Sequence, residues 1–229
     1  MSSVEFNTLY WDNTPPEQMR AHRAVMAKFD IDVRYFEENT PHGFWLDRTT
    51  ATSTADVIGF FDSDCVPLSR ERVQACIDYV TRHDTFCGIA QVANHILPRT
   101  HVYAAPAFFL ITRSCWERLG RPSFEHNPRS DVGEEITRAA EMLGQRFRVL
   151  YPDSFEREPR EGLWPLGHYG YYGIGTVFDQ TVYHLYQGRF GSNLQLFIQR
   201  CEEIAEGTFS SAGHQSARVF DYAGRIAGV

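Results

Sequence analysis

A short apolar run, Val57-Ile58-Gly59-Phe60-Phe61, ends abruptly in Asp62-Ser63-Asp64. Five residues without polar alternation read as a strand buried on both faces, the kind found in a parallel sheet covered by helices. In such open sheets ligands gather beyond the carboxyl ends of the strands, which is where Asp62 and Asp64 stand. In extended chain, side chains at i and i+2 leave on the same side. Two like charges so placed raise each other's pKa unless a cation joins them. A hard divalent ion, completed by substrate phosphates, is the usual solution. The chain carries its own control: Asp30-Ile31-Asp32 has the same spacing but precedes an extended run, Val33–Phe36, and so reads as a solvated turn. Position, more than spacing, singles out Asp62 and Asp64.

The rest of the chain supplies the partners of that strand. Strands are expected at Val4–Tyr10, Ile31–Phe36, Phe86–Val92, Ala107–Thr112 and Phe147–Tyr151. Between them, Thr14-Pro15-Pro16-Glu17 reads as a helix start with Thr14 as N-cap and Glu17 closing a capping box. Further helices are expected over Phe44–Thr52, from Ser69 onward with Val73, Cys76, Ile77 and Val80 as its apolar stripe, over Ser114–Leu119, and over Asp131–Leu143 before Gly144. Strand and helix alternate for about 150 residues, so the expected fold class is α/β, with a mainly parallel central sheet and helices on both faces. Residues 159–175 read as one long loop, Thr176–Tyr186 as extended chain and Phe190–Glu206 as a helix. The 229 residues carry no repeat and no convincing linker, and a single domain is expected.

Composition removes several classes. A net charge of -7 argues against general affinity for nucleic acid or anionic membranes. No apolar run approaches the length of a membrane span, and Met1-Ser2-Ser3-Val4-Glu5 does not read as a secretory signal. Five cysteines without a CxxC pair point to reduced thiols and a cytoplasmic location. Lys28 is the sole lysine, all other basic side chains being arginine. Gly-Lys-Ser/Thr is absent, which excludes a P-loop.

Three more places carry candidate chemistry. Asp131 and Glu134 have capping-box spacing, with Asp131 as N-cap. The stripe Val132, Ile136, Ala139 and Leu143 puts Glu135 at the edge of the buried face and Glu134 on the far side. Spacing leaves Glu135 as either a general base of raised pKa or a solvated flank. His184, in Val182-Tyr183-His184-Leu185-Tyr186, shares a face with apolar neighbours and reads as either a packed histidine or a ligand. Arg189 reads as either a phosphate contact or a surface residue. The loop from Leu163 to Gly173 mixes Trp164, His168, Tyr169, Tyr171 and Tyr172 with glycines. It either stacks against sugars or bases or buries its own aromatics.

Taken together, Ile58-Gly59-Phe60-Phe61-Asp62-Ser63-Asp64-Cys65-Val66-Pro67, Phe44-Trp45-Leu46-Asp47-Arg48 and Gly133-Glu134-Glu135 resemble a GT-A fold glycosyltransferase, closest in style to glycosyltransferase family 2. The resemblance covers residues 4 to about 150 and reaches 189 more loosely. It implies a nucleotide-sugar and metal half (1–100), an acceptor and catalytic half (101–206) and a weakly patterned tail (207–229). It implies that Asp62 and Ser63 contact the nucleotide ribose and metal, that Asp64 is the main Mn2+ or Mg2+ ligand, and that His184 completes the metal shell. Tyr10, Asp12 and Glu38 would border the nucleobase, with Arg48 near the donor diphosphate and Arg189 at a phosphate. Glu135 would be the base of an inverting hexosyl transfer from a nucleotide-diphosphate sugar, a UDP-sugar in first place, to a hydroxyl acceptor such as a glycan. Glu134 and Asp131 stand beside it in the catalytic set. This chain departs from the family in Tyr-Trp-Asp-Asn after the first strand, in lacking Asp-Asp-Gly-Ser after the second, and in Glu at the base position. A haloacid-dehalogenase-type phosphatase also ends a strand in Asp-x-Asp, but its later lysine is missing. A nucleotidyltransferase would need a Gly-rich, lysine-bearing start, also missing. A nucleotide-sugar or carbohydrate binder without turnover stays open.

Overall fold

The computed structural model describes residues 2–93, 101–188 and 191–218. The chain opens with β1 (Val4–Tyr10), α1 (Pro16–Lys28), β2 (Val33–Glu37), α2 (His42–Thr52), β3 (Val57–Phe61), β4 (Cys65–Pro67), α3 (Arg70–His83) and β5 (Phe86–Val92). It continues through β6 (Val102–Thr112), α4 (Arg113–Arg118), α5 (Glu134–Met142), β7 (Arg148–Leu150), β8 (Pro152–Arg157), β9 (Trp164–Leu166) and β10 (Gly170–Tyr172). It ends with β11 (Ile174–Phe178), β12 (Val182–His184), α6 (Ser192–Glu206) and β13 (Gln215–Ser216).

Six strands form the central sheet in the order β2-β1-β3-β6-β5-β7. β6 alone runs against the others, so the sheet is mainly parallel, as expected. All five residues of β3 are buried. Val57 and Phe61 pack with Met26 of α1 and Val73, Cys76 and Val80 of α3. Ile58 and Phe60 pack on the other face with Trp45 and Leu46 of α2, Trp116 of α4 and Ile136 of α5. Helices therefore cover both faces, and the alternating strand divides its side chains between two cores. Gly59 is required by that packing: a Cβ there would lie 2.5 Å from a ring carbon of Phe6.

Several local expectations are corrected. The N-cap of α1 is Pro15, and the Thr14 hydroxyl instead accepts from Trp11 N within the preceding turn. The N-cap of α5 is Gly133, held at φ 81°, rather than Asp131. Residues 159–175 are not one loop: β9 and β10 form a hairpin, and Trp164, Leu166 and Tyr172 are buried against Phe197, Cys201 and Ile204 of α6. Of the two readings of those aromatics, the buried one holds for Trp164 and Tyr172. The extended segment 176–186 is a hairpin of β11 and β12 within a second, antiparallel sheet, β13-β8-β11-β12-β4. Strands of three residues are too short to leave a periodicity to read. By contrast Ser69 caps α3 as expected, its hydroxyl accepting from Arg72 N. All five cysteines are free and buried. No helix among the described residues is long and apolar enough to cross a membrane.

One buried polar group makes stability depend on pH. His22, within α1, has no exposed surface, and its Nδ1 lies 3.1 Å from the Tyr35 hydroxyl. Burial holds its pKa down at about 4. The unfolded chain takes up this proton near pH 6.5 and the folded chain only near 4, so stability is lost as pH falls through that window. The full loss is about 3 kcal/mol below pH 4. In His22→Gln, the difference in urea-unfolding free energy between pH 7 and pH 4 should shrink by that amount. An unchanged difference would assign the acid sensitivity elsewhere.

Candidate metal centre and cleft

Asp62, Ser63, Asp64 and Cys65 form a tight turn between β3 and β4, closed by Cys65 N donating to Asp62 O at 2.9 Å. The two aspartates are thus not spaced by extended backbone, as their sequence spacing implied, but brought together by a turn. Pairing across the second sheet supplies the third group. β4 runs antiparallel to β12 with Cys65 opposite His184, and Leu185 N donates to Asp64 O at 2.9 Å. His184 Nε2 then lies 3.2 Å from Asp64 Oδ1. One ligand atom from each of Asp62, Asp64 and His184 falls within 4.8 Å of the others. Three side chains so placed could hold one divalent ion. Two carboxylates and an imidazole suit Mn2+ and, with added water or phosphate oxygens, Mg2+.

The aspartates differ electrostatically. Burial raises the pKa of Asp62, with a further push from Asp64 and a counter-pull from His42, whose Nε2 is 3.3 Å from Asp62 Oδ1. Burial also pushes Asp64 up, but the hydrogen bond and charge of His184 and the Gly188 N–H outweigh it and hold Asp64 below its usual value. The two aspartates therefore shift in opposite directions, the one in contact with His184 and Gly188 N being held down. Gly188 N donates to Asp64 Oδ2 at 3.2 Å, and a Cβ on Gly188 would sit 2.7 Å from Asp64 Cβ. Gly188→Ala must therefore displace Asp64. It should weaken Mn2+ binding at least tenfold, measured by titration calorimetry, and unchanged affinity would show that the carboxylate does not need this contact.

A cleft of about 250 Å³ opens beside these groups, lined among others by His42, Asp62, Asp64, Asp131, His184 and Tyr186. Asp131 reaches it because α5 starts after it: its Oδ1 accepts from Val132 N, and Tyr103 lines the same cleft. Glu134 is buried instead of lying on the far side of the helix. It accepts from His101 Nδ1 at 2.5 Å, from Arg138 at 2.6 Å and from Asp131 N at 2.8 Å. The last bond is half of the expected capping box. The buried stripe of α5 is Ile136, Thr137 and Ala140, and Leu143 is exposed. Glu135 does not have the raised pKa weighed for it. The Arg129 guanidinium, with the Ser130 hydroxyl and the Asn127 amide, holds it at about 2 despite partial burial.

Other predicted residues lie elsewhere. Ser63 turns inward, its carbonyl and hydroxyl both facing the amide of Gln18. Tyr10 and Asp12 line a separate pocket of about 280 Å³ with Trp11, Arg20, Arg23 and Glu37. Glu38 and Arg48 pair with each other at 2.5 Å. Arg189 lies outside the described residues. Sequence reasoning missed His42, the first residue of α2, and Gln18. A polar stretch around Pro41-His42-Gly43 and one glutamine on an amphipathic helix were the sole signals.

No protein-family model and no curated protein matches the chain. Solved structures it is similar to include the Pyrobaculum calidifontis mannosyltransferase PcManGT in complex with GDP-Man and Mn2+, at 13% identity over 70% of this chain and 58% of that one, TM-score 0.46. The catalytic domain of Drosophila β1,4-galactosyltransferase 7 in complex with xylobiose aligns at 12% identity over 65% of each chain, TM-score 0.46. The 4-diphosphocytidyl-2C-methyl-D-erythritol synthase of Anaerococcus prevotii aligns at 10% identity over 66% of this chain and 87% of that one, TM-score 0.39. These are likenesses of architecture, and one architecture hosts several activities.

Proposed function

We propose that the protein moves a sugar from a nucleotide-diphosphate sugar to an acceptor hydroxyl with the help of a divalent cation. The observation that carries this reading is the convergence of Asp62, Asp64 and His184 at the carboxyl end of a parallel strand, with Asp131 on the wall of the same cleft. Asp62, Asp64 and His184 would hold Mn2+ or Mg2+, which when bound would supply charge neutralisation for a departing nucleoside diphosphate, an effect worth several kcal/mol. Asp131, its Oδ1 held by Val132 N, takes the proton of the attacking hydroxyl in an inverting transfer. A positioned base is worth about 10²–10⁴ in rate. Asp131 is preferred over Glu135 because it lines the cleft, whereas Glu135 is occupied by Arg129, Ser130 and Asn127. Its low pKa also makes Glu135 a poor proton acceptor.

The pocket beside Tyr10 and Asp12 is the place proposed for the nucleobase. A UDP-hexose is the first donor to test, and a glycan the first acceptor. Buried free thiols fit a reducing, cytoplasmic compartment. The experiment is a thermal-shift screen of UDP- and GDP-sugars with and without Mn2+, followed by a product assay. Stabilisation that needs both nucleotide and cation supports the reading, and indifference to every nucleotide would sink it. Stabilisation without product would leave a binder.

A further inference from the structure

Resting on the reading of Asp62, Asp64 and His184 as a cation site, we propose that Gln18 of α1 is a positioning residue. Its side-chain amide locks the Asp62–Cys65 turn in the shape that brings the two carboxylates together. Gln18 is 1% exposed and sits behind the turn. Its Nε2 faces Ser63 O at 3.1 Å and Ser63 Oγ at 3.3 Å, so one amide engages both polar groups of the turn's second residue. Ser63 belongs to neither flanking strand, so no ladder partner satisfies its carbonyl. With Ser63 drawn inward, Asp62 and Asp64, but not Ser63, line the cleft.

Stability alone explains Gln18 poorly. The buried side of α1 otherwise carries Met19, His22, Val25 and Met26, and Gln18 Oε1 is buried without a hydrogen-bond partner. A thioether of similar length would fill the same space with no orphaned oxygen. What it would lack is the donor that fixes Ser63.

The test measures Mn2+ affinity of the full chain without nucleotide, by calorimetry at 20 °C, alongside melting temperature. Gln18→Met is expected to weaken Mn2+ binding at least tenfold while melting within a few degrees of the parent. Val25→Ala, a packing control on the same helix, should lower the melting temperature and leave Mn2+ affinity unchanged. If Gln18→Met does not fold, Gln18→Asn, which keeps the amide but draws it out of reach, carries the same expectation. Mn2+ affinity within twofold of the parent in the folded Gln18 variant overturns the proposal while the cation site stands. Absence of Mn2+ binding by the parent overturns the cation site itself, and the proposal with it.

Discussion

Asp64→Ala should abolish cation-dependent binding of the donor, weakening Mn2+ by more than 100-fold, while the protein still folds. Asp64 is the member of the cluster held in its charged form, by His184 at 3.2 Å and Gly188 N at 3.2 Å. Removing it takes away the strongest negative ligand and the group that orients the imidazole, and loss of an orienting partner alone typically costs 10–100-fold in affinity. The fold survives because Asp64 joins the second sheet through its backbone carbonyl, bonded to Leu185 N, which alanine retains. The local cost is about 1–3 kcal/mol for leaving His184 buried with a lost partner. Calorimetric titration with Mn2+, then with UDP in its presence, reads the effect. Parent-like affinity would remove Asp64 from the site.

The second large effect separates two carboxylates that the sequence placed four residues apart. Asp131→Asn should lower the transfer rate by about 10²–10⁴ while leaving Mn2+ and nucleotide affinities as they were. Asparagine keeps the size of the side chain and a carbonyl oxygen for Val132 N, but it cannot take a proton. Glu135→Gln should keep the rate within about tenfold, because that carboxylate is engaged by Arg129, Ser130 and Asn127. Steady-state rates at saturating donor decide between them. A severe loss in Glu135→Gln with a mild one in Asp131→Asn would return the base to Glu135 and require the Arg129 pair to open during turnover.

How legible each feature was follows from how local its cause is. Val57–Phe61 was readable as a buried strand because burial on both faces demands an unbroken apolar run, and the observed strand has those bounds. Phe86–Val92 was readable from its apolar start, Phe86–Ala90, which is buried throughout. The three-residue strands β4 and β12 were not readable, since what makes them strands is each other. The phase of α5 was misjudged because Glu134, a residue counted as polar and outward, is buried by the long-range partner His101 together with Arg138. A helix wheel weighs hydrophobicity and has no means of seeing an ion pair formed across the fold.

By itself, the sequence determined the layered α/β plan and the place of Asp62 and Asp64 at the end of its central strand, because strand burial and charge position are written in consecutive residues. Tertiary structure decided the rest of the site. It brought His184 beside Asp64 by pairing β12 with β4, set His42 against Asp62, turned Ser63 toward Gln18, and left Asp131 rather than Glu135 on the wall of the cleft. Those outcomes depend on contacts between residues distant in sequence, such as Gln18 and Ser63 at 45 positions apart, and the direction a side chain takes is fixed by the partner it meets there.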